Sequence, residues 1–459
     1  MRRSLTLFIA LGALGLAACG GGDDPTATPA ATTVASSTPA GAGAAGSGLA
    51  PSDIFARVAP SIAFIETPIG TGSAILLDEQ WLVSNAHVVW PYEQVRVVFA
   101  DGTEFVDAPV HAWDLMADLS VIRLPEGHGI PPVAFADPLE LPMGSELYLI
   151  GYPAENEEFP QPTISSGVLS RVRDWDVAGL TYIQTDAAIA GGQSGGALVS
   201  NMGDVVGLSG FKFADAFGLA LSAPIVEERT NGLIDGTDVN SFSDRRLARN
   251  STDNSISFSL SNYYEERAFI VREPTGSLVE LEITGANDVS IDIYDASGVY
   301  ITSVDDGATG SEIASFEVDF DVPFIVVAKQ LNLGLGEFEI SSSSDLALQN
   351  DPDDGRLLSR ERTYAGNIDY AADVDVFEID LEADETVTIR VETLHFDPDM
   401  VIDAPDNLDE ALAYDDDSAG GLFGTDAELT FTAPATDRYI LAIADVNFVE
   451  VGSYYLIVD

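Results

Sequence analysis

An all-β fold is predicted for this chain of 459 residues, and three observations predict it. From Ile54 to about Ile234, short apolar and β-branched runs are separated by Gly, Pro and Asp. That pattern makes barrels or sandwiches, not alternating α/β units. The rest of the chain repeats itself. A shift of 108 positions superposes Phe269 on Phe377, Val271 on Ile379, Val279 on Val387, Leu281 on Ile389, Ile283 on Val391 and Asp295 on Asp403. Apolar positions within each copy alternate with period two, which gives a sheet one buried face. Two copies of roughly a hundred residues can each hold a core and are too large and too few for a solenoid. The expected architecture is therefore a β-barrel region over 51–236, a linker over 237–254, and tandem β-sandwich modules over 255–345 and 355–459.

The segments in front of the barrels follow from composition. Met1-Arg2-Arg3 precedes an apolar run from Leu5 to Leu16 that only Thr6 interrupts. The run is shorter than the ~20 residues of a spanning helix, so 1–18 reads as a cleaved signal peptide. Leu16-Ala17-Ala18-Cys19 ends it and resembles the bacterial lipobox, which implies a lipid on Cys19. Cys19 is the only cysteine, so the folded part has no internal disulfide and depends on core packing. Residues 23–48 are almost wholly Asp, Pro, Thr, Ala, Ser and Gly. They cannot offset the entropy of ordering, so 19–50 is expected to be a flexible tether.

Within the barrel region, strands are predicted at Ser61 to Glu66, Gly72 to Leu77, Trp81 to Ser84, Gln94 to Phe99, Leu119 to Leu124 and Glu146 to Ile150. Further strands are predicted at Ile164 to Val172, Tyr182 to Thr185, Ala197 to Val199, Val205 to Ser209 and Gly218 to Ser222. That number suffices for two small barrels. Ser241 to Asn254 is polar and carries Arg245, Arg246 and Arg249; it reads as a second linker, with an exposed processing site at the arginines as the lesser reading.

The charge excludes some partners. Seventy-five acidic residues against 20 basic ones leave −55, a surface that repels nucleic acid and anionic lipid. Composition alone does not choose between a solvated surface, a saline setting and cation binding.

Three segments carry chemistry. Leu82-Val83-Ser84-Asn85-Ala86-His87-Val88-Val89 ends an apolar strand and delivers a histidine to its rim, where a base is held rigidly yet stays reachable. Asp114-Leu115-Met116-Ala117-Asp118-Leu119 places an acid before a buried strand, where it can orient an imidazole. Gly191-Gly192-Gln193-Ser194-Gly195-Gly196 surrounds a serine with glycines that let the backbone turn sharply and aim amide N–H groups at an oxyanion. Each is weak alone. Their order, with a strand on the expected side of each, is improbable by chance.

From Gly70 to about Pro224 the chain resembles the trypsin-like (chymotrypsin-fold) serine proteases, in particular the HtrA/Deg-like branch. The carrying residues are Ser84 to Val89, Asp118 to Ile122, and Gln184 to Ile189 running into Gly192 to Gly196. The resemblance implies a double β-barrel with the active site between barrels, His87 as general base, Asp118 as its orienting acid, Ser194 as nucleophile, and the N–H groups of Gly192 and Ser194 as oxyanion hole. No cofactor is required for this chemistry, and the substrate is a polypeptide. Ala188 stands where trypsin-specific members have an acid. With Gly207 to Phe211 and Gly218 to Ser222 as pocket walls, a small-to-medium apolar P1 residue is expected.

The departures matter too. PDZ domains usually follow the protease in HtrA-like enzymes and are replaced here by the repeat. Gln193 stands where family members have Asn or an aspartate that pairs with a new N-terminus, so activation by N-terminal insertion is not expected. The second module resembles the bacterial pre-peptidase C-terminal domain through Asp373 to Phe377, Phe396-Asp397-Pro398-Asp399, Asp415-Asp416-Asp417 and Gly452 to Tyr455. That family implies export, and in some members calcium, for which Asp373, Asp375 and Asp415 to Asp417 are candidates. The leading expectation is a lipid-anchored endopeptidase of the cell envelope, attached to the membrane through Cys19. The competing reading from another class is an idle trypsin-fold lipoprotein acting in adhesion or scaffolding, and a third is a protease that processes its own tail.

Overall fold

The computed structural model describes residues 48–459 apart from 155–159, 215–216, 238–244, 250–251, 263, 297, 306–309, 320–321, 332–334, 405–410 and 423. The expected signal peptide, Cys19 and most of the tether lie outside the described residues. No helix among the described residues is long and apolar enough to cross a membrane.

After helix α1 (Pro51–Val58), six strands form a closed barrel: β1 (Ile62–Glu66), β2 (Thr71–Leu76), β3 (Trp81–Ser84), β4 (Gln94–Phe99), β5 (Glu104–Asp114) and β6 (Leu119–Arg123), in the order β1-β2-β3-β6-β5-β4. Helix α2 (Ala86–Val89) is a single turn after β3. A second closed barrel follows: β7 (Glu146–Gly151), β8 (Thr163–Trp175), β9 (Leu180–Thr185), β10 (Ala197–Ser200), β11 (Val205–Ala214) and β12 (Phe217–Ser222), ordered β10-β11-β12-β9-β8-β7. Helix α3 (Ala223–Asp235) closes the region. Ile62, Leu82 and Val97 of the first barrel share one continuous core with Ile150, Val199 and Leu208 of the second, so the barrels are fused. The sequence reading missed β5. Its first half is largely exposed and it contains Pro109 and three acids, Glu104, Asp107 and Asp114, which break the apolar alternation that marks a strand.

The repeat reappears as shared topology. In the first copy, Leu278–Gly285 lies between Ser311–Glu317 and Gly336–Leu348, and Phe324–Gln330 lies between Glu266–Val271 and Val289–Asp295. In the second, Thr386–Thr393 lies between Ala427–Thr432 and Gly452–Val458, and Asp437–Asp445 lies between Asp375–Leu381 and Pro398–Asp403. The five superposed apolar pairs are all buried. The copies differ in one respect. The second holds two separate sheets around one core, a sandwich. In the first, the strand Gly336–Leu348 runs on to pair Leu348 with Phe269, joining both halves into one curled sheet.

The 237–254 segment is not a loose, exposed linker where it is described. Arg245 is buried, with its guanidinium 2.7 Å from Asp353, 3.0 Å from Asp369 and 3.5 Å from Asp351. Burial opposes its charge, but the carboxylates outweigh burial and hold its pKa well above the ordinary arginine value. The backbone is held too: Trp90 Nε1 donates to the Arg245 carbonyl at 3.2 Å, and Arg246 stacks over the Trp113 ring at 4.6 Å. A protease needs an accessible, extended segment, and the buried Arg245 does not offer one, which removes the lesser reading of this segment.

This cluster yields a stability prediction. Arg356 also reaches Asp353 at 3.1 Å but is partly exposed; removing the buried cation, Arg245, leaves uncompensated buried charge, which costs about 3–5 kcal/mol. Arg245→Met should lower the urea midpoint accordingly, and an unchanged midpoint would show that the cluster is screened by other means.

Candidate active site

The first barrel supplies two of the predicted side chains. β3 ends at Ser84, and the single turn of α2 just beyond the strand end carries His87. Asp118 occupies the last turn residue before β6, with φ +52°. This left-handed conformation is uncommon outside glycine, although Asp tolerates it best among charged residues. The fold holds it there from several sides. Asn85 Nδ2 donates to the Asp118 carbonyl at 3.0 Å, and Asp114 closes the preceding turn by accepting Ala117 N–H at 3.0 Å. Arg229 on α3 reaches Asp114 at 3.3 Å.

His87 and Asp118 meet twice. The His87 backbone N–H donates to Asp118 Oδ1 at 2.9 Å, and ring Nδ1 lies 2.7 Å from Oδ2. An ionised carboxylate can only accept, so Nδ1 carries the hydrogen and Nε2 is left as the basic nitrogen. The Asp118 side chain is 3% exposed and that of His87 48%, an acid sealed behind a base that faces the cleft. Desolvation works against protonation of His87, but the charge and hydrogen bond of Asp118 outweigh it and hold the imidazole above the ordinary histidine value of 6.5.

Ser194 comes from the second barrel, in the loop between β9 and β10. Its hydroxyl lies 3.5 Å from the Gly210 carbonyl, and no hydrogen bond joins it to His87 among the described residues. Such contacts are commonly loose without substrate and tighten in the complex. The loop backbone is tightly specified. Gln193 N–H donates to Ala190 O at 3.2 Å, Gly195 N–H to Ser209 O at 2.8 Å and Gly196 N–H to Gln193 O at 3.0 Å. The N–H groups of Gly192 and Ser194, which alternate with these, have no protein acceptor among the described residues. Glycine is required at two positions here. Gly192 and Gly195 have φ of +84° and +81°. A Cβ would stand 2.5 Å from Ala154 N at the first and 1.9 Å from Ser73 O at the second.

Three further residues shape the site, and of these only Gln193 is singled out by the sequence. Ser73 on β2 crosses between barrels: its N–H donates to Ser194 O at 2.8 Å and its hydroxyl to Gly192 O at 2.9 Å. Gln193 is buried; its Oε1 accepts Ala190 N–H at 2.7 Å and its Nε2 donates to Thr163 Oγ1 at 3.0 Å. This amide braces the loop from inside, without a charged partner. Ile189 reaches the glycine of the expected pocket wall, where a Cβ on Gly218 would be 2.3 Å from Ile189 Cδ1. Ala188 beside it is exposed, with its carbonyl accepting Ser165 Oγ at 2.9 Å. No sequence signal marks Ser73 or Ile189. The buried amide of Gln193 was legible only as a departure from relatives.

Comparison with known proteins places this arrangement. The trypsin-like peptidase domain profile matches residues 70–208, and the bacterial pre-peptidase C-terminal domain profile matches 373–445. A putative serine protease HhoA from Synechocystis sp. is 33% identical over 164 residues, 34% of this chain and 40% of that protein. Bovine mitochondrial serine protease HTRA2 is 31% identical over 195 residues, 39% of this chain and 42% of that protein. A solved structure of an HtrA-type protease AlgW with a tripeptide matches at 27% identity, with 41% of this chain and 64% of that one covered and a TM-score of 0.38. The chain thus spans about 40% of the length of the curated relatives it matches. It carries a trypsin-like peptidase domain related to the HtrA serine proteases, and a C-terminal pre-peptidase domain.

A pH profile follows from the His87 environment. A general base works only when neutral, so kcat/KM rises with pH through a midpoint above 6.5. Asp118→Asn removes what raises that midpoint while burial stays, so the acid limb moves to lower pH and the plateau falls on the order of 10⁴-fold. An acid limb that does not move in the variant would sever the link between Asp118 and His87.

Proposed function

We propose that this protein is an exported, lipid-anchored serine endopeptidase. The observation that carries the reading is the conjunction around one serine of an imidazole oriented by a buried carboxylate and two backbone amides without acceptors among the described residues. In the proposed cycle, His87 Nε2 takes the Ser194 proton as Oγ bonds to the scissile carbonyl carbon. The N–H groups of Gly192 and Ser194 receive the resulting oxyanion. His87 then gives its proton to the departing amine as the C–N bond breaks. Water, deprotonated by the same nitrogen, releases the acyl group from Ser194. Asp118 stabilises the imidazolium throughout. Ile189 against Gly218, with no acid at Ala188, supports a small-to-medium apolar P1 residue.

Location and attachment rest on other features. The pre-peptidase C-terminal domain points to an exported bacterial protein. The lipobox-like Leu16 to Cys19 supports a membrane anchor at the cell surface or in the envelope. The idle-scaffold reading loses ground to the unpaired Gly192 and Ser194 amides, which a scaffold has no chemical need to leave free.

The tail also offers a cation site. Asp351, Asp373 and Asp375 bring carboxylate oxygens within 4.8 Å of one another. Asp375 is wholly buried, and its Oδ1 has no hydrogen-bond partner. Burial, and then mutual repulsion, push all three carboxyls well above the usual range. Together with Asp353 and Asp369, they make five carboxylates that face two cations among the described residues, the buried Arg245 and Arg356, which reaches Asp353 at 3.1 Å, so a divalent cation fits the charge and the hard oxygen donors suit calcium. Of the residues expected to share it, Asp415 instead accepts the N–H groups of Ser418 and Glu428 and closes a turn.

Two measurements test these readings. A fluorophosphonate probe should label the wild-type protein and leave Ser194→Ala unlabelled; equal labelling of both would sink the serine-hydrolase reading. Millimolar calcium should raise the melting temperature, and Asp375→Asn should remove the shift. A melting curve indifferent to calcium and to chelator would dismiss the cation.

A further inference from the structure

One side chain of the C-terminal sandwich reaches the catalytic cleft. His395 lies in the bend just after Thr386–Thr393, and its backbone N–H donates to Thr393 Oγ1 at 3.0 Å. Its ring meets Phe211 edge-on, with centroids 5.4 Å apart. Its Nε2 lies 3.5 Å from the carbonyl of Met116, which can only accept, so that nitrogen carries the hydrogen. Phe211 follows Gly210, the carbonyl nearest the Ser194 hydroxyl, and Met116 lies two residues before Asp118. His395 therefore bridges the two segments that flank the triad, one from each barrel. Desolvation at this junction lowers its pKa despite nearby Asp118, so it stands there as a neutral ring.

The contact belongs to a built interface. Trp175 on β8 packs edge-on against Tyr455 at 5.9 Å and donates from Nε1 to Glu392 at 3.2 Å. Arg173 reaches the Leu422 carbonyl at 3.4 Å. Leu394 and Tyr455 of the sandwich are buried in the core cluster of the barrels themselves.

The cleft remains open on the other side, since the His87 side chain is 48% exposed. His395 is thus a wall, and its position decides which subsite it bounds. The β11–β12 ladder shifts register between Ser209 and Phe211, and its pairing with β10 ends before Gly210. Gly210 thus sits outside both registers, at a bulge alongside which an extended substrate can add. A peptide acylating Ser194 and running along Gly210 and Phe211 rises about 3.3 Å per residue. Its side chains two to four residues before the scissile bond then reach the Phe211–His395 pair.

We propose that His395 is a specificity-determining residue contributed by the C-terminal module, closing the acyl side of the substrate cleft to bulky side chains two to four residues before the scissile bond. The inference rests on the endopeptidase reading, and its test separates the two. Wild type, His395→Ala and His395→Phe are profiled with peptides varied at those positions, and each kcat/KM is normalised to that protein's rate of fluorophosphonate labelling. Wild type should favour small residues at one of the positions. His395→Ala should gain about tenfold toward Leu or Phe there through KM, and His395→Phe, which keeps the aromatic packing, should lose further. Normalised profiles that coincide would overturn the proposal while leaving the hydrolase intact. Absence of wild-type labelling would end the endopeptidase reading and this inference together. If His395→Ala fails to fold, the direction of the His395→Phe change decides alone.

Discussion

The candidate active site depends on Ser73, a small residue of the first barrel wholly buried against the Ser194 loop of the second. Its backbone N–H and hydroxyl hold the carbonyls of Ser194 and Gly192, its hydroxyl accepts Tyr152 N–H at 2.8 Å, and its own carbonyl accepts Ser84 Oγ at 2.7 Å. Turning those two carbonyls toward Ser73 fixes the peptide planes that carry the Gln193 and Gly195 N–H groups. The planes that carry the Gly192 and Ser194 N–H groups are held by the Gly191 and Gln193 carbonyls, which accept Ala154 N–H at 2.7 Å and Gly196 N–H at 3.0 Å. Buried polar groups left without such partners would cost roughly 1–3 kcal/mol each, so the loop has little freedom to turn over. The same residue ties the histidine-bearing barrel to the serine-bearing one, because Ser84 ends the strand that leads to His87.

Electrostatics follows the same division between rigid and reachable. Asp118 is sealed in the first barrel by Asn85 and the Asp114–Arg229 pair, so its charge is focused on one imidazole nitrogen. The other nitrogen stays in the open cleft. Elsewhere the chain concentrates acid without such relief. Arg245 crosses from the segment after the barrels into the Asp351, Asp353 and Asp369 cluster, and Trp90 holds its backbone. This pairing and the Trp175–Tyr455 contact make the second sandwich part of the protease's own surroundings. The strongly acidic surface and the buried carboxylates are therefore different matters: the first keeps the chain solvated, the second joins its parts.

Legibility in the sequence tracked locality. Segments whose chemistry is carried by neighbours in the chain, such as Ser84 to Val89 and Gly191 to Gly196, could be read directly. The repeat was legible because core positions keep their period, and every superposed apolar pair is buried in its own module. What escaped were contacts between distant residues and elements with mixed character. Strand β5 hides behind Pro109 and its acids. Arg245 in a polar run reads as solvated because its partners Asp353 and Asp369 come more than a hundred residues later. Gln193 reads as a missing ion pair, yet its amide meets Thr163 across the barrel. His395 has no signal at all, since only the docking of the second module brings it to Phe211.

The most direct measurement is a crystal structure of the protein reacted with a small apolar peptide boronate. The account predicts boron bonded to Ser194 Oγ and one boronate oxygen about 2.7–3.1 Å from both the Gly192 and Ser194 N–H groups, with His87 Nε2 beside the adduct and the peptide running along Gly210 toward Phe211. Failure to form the adduct, or an adduct whose oxygen turns away from those two amides, would contradict it.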